Sequence, residues 1–352
     1  MRHIPLLCAL VCILSAFPAC RDAIEEVPLN TSLITLTDKF FDVEALSAEK
    51  AVVVGYAGKI LLTTDGGQSW QAKDSGTNAA LYSIAFPDDQ HGWISGQDGV
   101  MLHSTDGGET WQSQDSQLGD PIFGISFIDT RHGWAAADRA TYLKTTNGGE
   151  SWESGYIQPS LEGVGADATL ALVDPIFYDV QFLDENTGWI VGEFGKIYHT
   201  TDGGQNWGEQ QNSLLGQAGF SDALNLPTFF GISFSDANNG VVVGLEGKVA
   251  TTSNAGQHWT FIGQAGGALF DTEPLYAPHL IGADDGGWIV GGAGRVLRLQ
   301  SGEWQPTSVG MPIATWLRAV DFHDADHGWI VGGYGAILRT TDGGQSWLRV
   351  FG

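Results

Sequence analysis

The eight residues TTDGGQSW occupy positions 63–70 and recur, letter for letter, at positions 340–347. Weaker copies lie between them at 104–111, 145–152, 200–207 and 252–259, and a degenerate copy, LQSGEW, ends at Trp304. Self-similarity at a regular period is the signature of a repeat architecture. The chain therefore consists of seven copies of one unit.

Each unit has the same internal order. The second unit reads LYSIAF, PDDQ, HGWISG, QDGVMLHS and TDGGETW from residue 81 to residue 111. Short apolar runs separated by Gly, Asp and Asn clusters indicate short strands joined by tight turns. Four strands per unit of about forty residues, without helices, predict an all-β fold, a seven-bladed β-propeller of four-stranded antiparallel blades. The first strands are predicted to begin near Phe41, Tyr82, Phe123, Tyr178, Phe230, Tyr276 and Arg318.

A large aromatic residue recurs at one position of the predicted second strand. A flat side chain there suits the wedge between neighbouring blades, where burial of aromatic rings contributes much of the packing energy. We therefore expect these tryptophans to be structural. The residues at this position are Trp93, Trp134, Trp189, Trp288 and Trp329, with Val52 and Val241 in blades one and five.

The repeated octapeptide is predicted to form the turn between the third and fourth strands. Its Asp or Asn accepts hydrogen bonds from turn amides, its glycines adopt backbone angles that other residues resist, and its Trp packs beneath. The pattern is similar to the Asp-box of sialidases and sortilin-type receptors. A calcium ion at each turn is the alternative, but calcium needs six or more oxygens and one Asp supplies too few. The predicted Asp-box residues are Asp65, Asp106, Asn147, Asp202, Asn254 and Asp342, with Trp70, Trp111, Trp152, Trp207, Trp259 and Trp347.

The first twenty residues have a basic start, an apolar run and a small residue before a cysteine, which is the layout of a secretory signal. Residues 17–20, FPAC, resemble a bacterial lipobox, and no later cysteine can pair with Cys20. We predict a signal peptide at 1–20, a lipid on Cys20, a flexible tether at 21–32 and one propeller domain at 33–352. The protein would then be exported to the periplasmic, or thylakoid-lumen-like, face of a membrane. Ordinary cleavage that leaves a free Cys20 is the alternative.

The formal net charge of −25 argues against several ligands. Such a field repels nucleic acid and anionic lipid, so membrane contact is expected only through the lipid anchor. The sequence has no phosphate-cradling loop and no Cys/His metal spacing, so we expect no cofactor and no metal. His91, His132 and His327 precede Gly-Trp in three different blades and are predicted to be packing or turn residues, because they cannot share one ion.

Several motifs together resemble the photosystem II stability and assembly factor family. They are the seven Asp-box units, HGWIVG at 327–332, VGxxGK at 54–59, 191–196 and 243–248, and the lipoprotein-like leader. The resemblance covers residues 40–352. It implies a non-catalytic propeller that helps to assemble or stabilise a membrane protein complex. Photosynthetic members are associated with an arginine-rich patch for a partner, whereas this chain has 16 Lys and Arg residues against 41 Asp and Glu.

In a propeller, the turns between second and third strands and the links between blades share one face, which we call the top face. The Asp-box turns lie on the opposite, bottom face. Long links on one face of a repeat ring commonly form its binding surface, and the links at 153–175, 208–228 and 260–274 are long.

Basic residues recur at the second-to-third turns, and a second polar row follows three positions later, at His103, Lys144, His199, Arg298 and Arg339. We predict that a basic rim on the top face of a monomer binds an acidic segment of a membrane protein in the cell envelope. The predicted rim residues are Lys59, Lys196, Lys248, Arg295, Arg298 and Arg339.

The alternative function is a propeller glycoside hydrolase or carbohydrate-binding module that uses carboxylates in the central channel. The candidate residues on the innermost strands are Asp42, Glu44, Asp179, Gln181 and Asp321. The sequence lacks the Phe/Tyr-Arg-Ile-Pro segment and the Tyr-Glu pair of sialidases. We therefore predict a scaffold without catalytic residues rather than an enzyme.

Overall fold

Short strands account for nearly all regular structure in the part of the chain that the structure describes. The computed structural model describes residues 33–158, 174–217, 220, 223–262, 272–282 and 286–350, which all belong to one unit, 32–352. The predicted signal peptide, Cys20 and the tether 21–32 lie outside the described residues, as do parts of the three long links. Within the described part, the helical segments are short 3-10 turns, and none could span a bilayer.

Each of the seven blades contains four consecutive strands, which run in order from the innermost strand to the outer strand. The innermost strands are Phe40–Ala45, Leu81–Ala85, Ile122–Phe127, Phe177–Phe182, Phe229–Phe234, Leu275–Leu280 and Leu317–Phe322. The second strands are Ala51–Gly55, Gly92–Gly96, Gly133–Ala137, Gly188–Gly192, Gly240–Gly244, Gly287–Gly291 and Gly328–Gly332. The third strands are Ile60–Thr63, Met101–Ser104, Thr141–Thr145, Ile197–Thr200, Val249–Thr252, Val296–Gln300 and Ile337–Thr340. The outer strands are Gln71–Lys73, Gln112–Gln114, Glu153–Tyr156, Gly208–Glu209, Thr260–Phe261, Glu303–Pro306 and Leu348–Arg349.

Each set of four consecutive strands forms one antiparallel sheet in chain order, which confirms the seven-bladed propeller. Every innermost strand begins one residue before its predicted start. The 3-10 turns are Tyr56–Gly58, Gln97–Gly99, Glu193–Gly195, Gln211–Leu214, Ala223–Asn225, Leu245–Gly247 and Gly292–Gly294. Five of them connect second and third strands, and there the middle residue has a positive φ near 55°, as Phe194 does at 55°. Each blade is therefore formed by one continuous stretch of the sequence.

The recurring tryptophans fill the seams between blades, as predicted. Trp134, fully enclosed on the second strand of blade three, stacks on Phe182 of blade four with ring centroids 3.7 Å apart. Its indole Nε1 donates to the carbonyl oxygen of Gly203 in the same neighbouring blade, at 3.1 Å. Trp93 and Trp189 stack on the next blade in the same way, at 3.8 Å and 3.7 Å.

The Asp-box tryptophan completes this packing from the other side. Trp207 meets Phe182 edge-on, with centroids 5.9 Å apart and an interplanar angle of 87°. Each such seam therefore holds a flat stack and an edge contact on one phenylalanine, a favourable arrangement for aromatic quadrupoles. The six Asp-box tryptophans each contact an aromatic ring at a seam in this way.

The Asp-box turn depends on a hydroxyl group that the sequence prediction did not single out. In blade seven, Asp342 Oδ1 accepts the amide of Ser346 at 2.9 Å, as predicted. The buried Thr340 hydroxyl also accepts the amide of Gly344 at 2.8 Å and donates to Asp342 Oδ1 at 2.8 Å. Because this hydroxyl accepts the buried amide, it ties the turn to the third strand. The equivalent buried hydroxyls are those of Thr63, Ser104, Thr145, Thr200 and Thr252.

The stretch SLITLT at 32–37 falls in the sequence where an outer strand of blade seven would lie, either beside the C-terminal strand or in its place. In the structure, residues 33–38 form bends and a turn, and blade seven has its own outer strand. The N-terminal segment instead contacts the top of blade seven, where Gly335 N donates to Asp38 O at 3.0 Å and Lys39 pairs with Gly333. No strand is exchanged within the described residues, and packing between the innermost strands of blades one and seven closes the ring.

We expect Thr340→Val to lower the free energy of unfolding by about 1–3 kcal/mol, because the buried amide of Gly344 loses its acceptor. Thr340→Ser should stay close to wild type, since Ser104 fills this role in blade two. Urea unfolding of the two variants followed by tryptophan fluorescence measures the difference. Equal stability of the valine and serine variants would show that the hydroxyl does not support the turn.

Candidate functional site

A ring of aromatic residues lines the central channel near the top face. In every blade the pairing of the innermost strand with the second strand shifts register at the second residue of the innermost strand. Such a bulge leaves the extra residue unpaired and redirects its side chain. The seven residues at this position, which we call the collar, are Phe41, Tyr82, Phe123, Tyr178, Phe230, Tyr276 and Arg318.

The collar residues contact one another from blade to blade. Neighbouring ring centroids are 5.7, 5.3, 5.3, 5.1 and 5.7 Å apart from Phe41 round to Tyr276. Arg318 continues the ring, with its guanidinium carbon 5.3 Å from the ring centroid of Tyr276 and a 3.4 Å hydrogen bond to the Tyr276 carbonyl oxygen. The repeat pattern predicts these residues as strand starts, and their aromatic type recurs in six of seven repeats, but the pattern alone does not show that they form a ring.

The channel carboxylates predicted for the alternative function connect adjacent blades. Asp42 Oδ2 accepts the Ser83 hydroxyl at 3.0 Å and the Ile84 amide at 2.9 Å, both from blade two. Asp321 Oδ2 accepts the amide of Ala45 at 2.8 Å and so joins blade seven to blade one. These contacts give the two carboxylates a structural role at the seams.

Blade four uses two residues of its innermost strand in the same way. Asp179 Oδ2 accepts the amide of Ile232 at 2.9 Å. Gln181 Oε1 accepts the amide of Phe234 at 2.6 Å. Both acceptors belong to blade four and both amides to blade five, so the predicted channel residues hold the ring together here as well.

The channel environment raises the pKa of several of these acids. Burial raises the pKa of Asp42 to about 7, although hydrogen bonds from backbone amides oppose the shift. Burial also raises the pKa of Asp179 to about 6, against the effect of backbone amides and of Arg318. Burial, followed by the charges of Asp321 and Asp42, raises the pKa of Glu44 well above its ordinary value. At neutral pH the channel therefore carries less negative charge than its four carboxyl groups suggest.

The first row of predicted rim residues lies on the top face but is largely engaged within the chain. Lys196 is only 6% exposed, and its Nζ lies 2.8 Å from Glu209 Oε1. Lys59 Nζ lies 2.7 Å from Asp38 Oδ2. Lys248 lies over the ring of Phe220, 5.5 Å from its centroid. Arg295 is half-buried at the equivalent place in blade six. The prediction of an exposed rim is wrong for Lys196, because the fourth strand of its own blade supplies a carboxylate.

The second row does not belong to a top-face rim. Arg339 faces the bottom face, where its guanidinium donates to Gly66 O at 3.1 Å and to Ala48 O at 2.7 Å in blade one. Its guanidinium carbon lies 5.6 Å from the ring of Trp329. Arg298 lies 5.1 Å from Trp288 in the same cross-strand register. This row packs against the seam tryptophans, and His103, Lys144 and His199 do so as well.

The three histidines before Gly-Trp are turn residues, as predicted. His91, His132 and His327 each place Nδ1 within 2.9 Å of the carboxylate of an aspartate three residues earlier. They lie in separate blades and do not converge. A different cluster, Asp129, His132 and Glu185, brings one ligand atom from each residue within 4.8 Å of the others.

An apolar groove on the top face runs over blades six, seven and one. It has a volume of about 680 Å³, and its lining includes Tyr276 and Trp316 at the collar and the exposed Leu36 and Tyr334. A second depression of about 370 Å³ adjoins it and shares Leu36 and Tyr334. Leu36 is 73% exposed and Tyr334 is 62% exposed, so this face presents large apolar side chains to solvent. No local sequence pattern predicts the groove, because separate blades and the N-terminal segment combine to form it.

Comparison with known families gives one match that covers most of the chain. A family model described as photosynthesis system II assembly factor YCF48 matches residues 22–121, 166–263 and 296–350. No curated protein matches the chain in sequence.

Solved structures share the propeller fold. A structure of YCF48 bound to a D1 peptide is 22% identical and has a TM-score of 0.57 over 77% of this chain and 81% of that one. YCF48 from Cyanidioschyzon merolae is 22% identical, with a TM-score of 0.58 over 77% and 85%. The GH74 xyloglucanase from Xanthomonas campestris is 14% identical, with a TM-score of 0.65 over 88% of this chain and 53% of the enzyme. At these identities the likeness shows the fold alone.

The raised pKa of Asp42 makes stability depend on pH. Because the folded-state pKa is about 7 and the ordinary value is 3.8, folding favours the protonated acid, and this stabilisation is lost as pH rises from about 4 to 7. We expect Asp42→Asn to make the free energy of unfolding less dependent on pH. Between pH 5 and pH 8, wild type should lose about 1–2 kcal/mol more of this free energy than the variant, after screening by channel water. Chemical denaturation at both pH values measures the difference. Parallel pH profiles of wild type and variant would contradict it.

Proposed function

The chain belongs to the photosynthesis system II assembly factor family described as YCF48, and from this membership we propose that it is a non-catalytic scaffold for a membrane protein complex of the cell envelope. It binds a subunit of that complex and helps to assemble or stabilise the whole. The family match carries this proposal, and a relative solved with a D1 peptide supports a polypeptide as the ligand. The channel carboxylates support a non-catalytic role, since Asp42, Asp179 and Asp321 each accept amides of the next blade.

The top-face groove is the surface that we assign to the partner. Leu36 and Tyr334 are exposed in it, and Tyr276 of the collar and Trp316 also line it. Extended peptide segments bind in such grooves by burying apolar side chains. The ion pairs of Lys59 and Lys196 reduce the attraction that a basic rim would exert on an acidic segment. We therefore propose a partner segment with apolar side chains, bound by a monomer of this chain.

We expect Leu36→Ala with Tyr334→Ala to abolish capture of the partner from the host's own membranes by the tagged full-length protein, at low and at high salt, because apolar burial is lost. Leu348→Ala is the matched control: Leu348 is 70% exposed but lies on the outer strand of blade seven. Mass spectrometry identifies and quantifies the captured subunit. Retention by the groove variant, with loss on Lys248→Glu and Arg295→Glu and on washing with salt, would assign binding to the basic residues instead.

We also propose that the protein is exported and held at a membrane by a lipid on Cys20, as the lipobox-like sequence suggests. Cys20→Ser is expected to move the protein from the membrane fraction to the soluble periplasmic fraction, because the anchor is lost. Fractionation and labelling with a fatty acid measure this. A variant that stays in the membrane fraction, or a wild-type protein that takes up no label, would refute the anchor.

A further inference from the structure

The bottom-face turn of blade three differs from its counterparts in one respect. In blades two, three and seven, this turn pairs a histidine Nδ1 with an aspartate three residues earlier, at 2.9, 2.8 and 2.9 Å. Only for His132 does an ion pair to a second carboxylate occur among these described turns, with Glu185 Oε1 of blade four 3.9 Å from Nδ1. At the place of Glu185, the blades that follow His91 and His327 have Thr130 and Ala48.

The ligand atoms of this cluster are spaced for a small cation. In a tetrahedral site with metal–ligand bonds of about 2.1 Å, ligand atoms are about 3.4 Å apart. The distances from His132 Nδ1 to Asp129 Oδ2 and Glu185 Oε1, 2.8 Å and 3.9 Å, lie on either side of that value. The side chain of His132 is 21% exposed, that of Asp129 47% and that of Glu185 64%. An ion therefore has access, and water can fill the fourth position.

The backbone of the turn orients Asp129 through only one of its two carboxylate oxygens. The amides of Arg131 and His132 donate to Asp129 Oδ1 at 2.7 and 2.8 Å, which fixes the carboxylate. Oδ2 faces the imidazole of His132. A metal ion can bind Oδ2 and Nδ1 when the proton between them is released to water, and the backbone contacts of the turn then remain intact.

The turn itself does not require an imidazole. In blade five, Asn239 occupies the position of the histidine, and its Nδ2 donates to Asp236 Oδ2 at 2.8 Å in the same arrangement. The amides of Asn238 and Asn239 also donate to Asp236 Oδ1. Asparagine therefore preserves this turn, and a histidine adds a metal-ligand atom rather than necessary support.

We propose that Asp129, His132 and Glu185 form a binding site for a divalent first-row transition metal of the Zn²⁺ type, which links blades three and four on the bottom face. One imidazole and two carboxylates form a donor set that suits zinc, cobalt or nickel better than calcium, which binds oxygen ligands. The ion joins residues of two blades, so it stabilises this seam whenever it binds the folded chain. The site lies on the opposite face from the groove and does not depend on the proposed partner.

The test uses the metal-free full-length protein titrated with Co²⁺, whose visible absorption reports tetrahedral coordination, and then with Zn²⁺ by calorimetry. We expect one equivalent to bind, with affinity at least tenfold weaker in His132→Asn and in Glu185→Thr. Both variants copy residues that this chain has at equivalent positions, Asn239 and Thr130, so their folding is expected to match wild type by circular dichroism.

His91→Asn and His327→Asn are the matched controls, because their turns have the same His–Asp pair but Thr130 or Ala48 in place of Glu185. They should bind both metals as wild type does, and the thermal midpoint of wild type and both controls should rise with Zn²⁺. Absence of binding by wild type would overturn the proposal. Unchanged affinity in Glu185→Thr, or an equal loss in His91→Asn, would overturn it as well.

Discussion

The stacking of aromatic rings across blade seams is the interaction on which the rest of this structure depends. A four-stranded sheet with apolar residues on both faces cannot bury them alone, so each blade needs a neighbour on either side. Trp134 stacks flat on Phe182, and Trp207 meets the same ring edge-on. The same contacts recur at other seams, so neighbouring blades stabilise one another in the ring. Closure in turn creates the channel, the two faces and every candidate site.

Several charged side chains that resemble binding or catalytic residues make structural contacts at these same seams. Arg339 lies against Trp329 and donates to carbonyl groups of blade one, while Asp42 and Asp179 accept amides of the following blades. A charged residue that recurs at one position of a repeat is therefore first a candidate for seam packing. Residues that differ from their counterparts in the other repeats are more informative about function. Arg318 in the collar and Glu185 beside the turn of blade three are two such residues.

Strand order and blade number were predictable because each blade is made of consecutive residues with a local pattern. The contacts of individual side chains were not. Arg339 reaches Ala48, 291 positions away, through ring closure that no local pattern encodes. Lys196 is neutralised by Glu209, which depends on the register of a two-residue outer strand. The collar depends on a bulge, and alternation along a strand does not predict which residue is the extra one.

The charge of this chain favours the proposed apolar groove over recognition by arginine side chains. The chain has a net charge of −25, and Lys59 and Lys196 form ion pairs within it. Attraction to an acidic segment would therefore contribute little to binding, and it would weaken with salt. Burial of apolar surface has no such dependence. Leu36 and Tyr334 expose that kind of surface beside the collar, where side chains of several blades converge. These properties support the proposed groove, rather than a basic rim, as the partner-binding surface of an acidic member of this family.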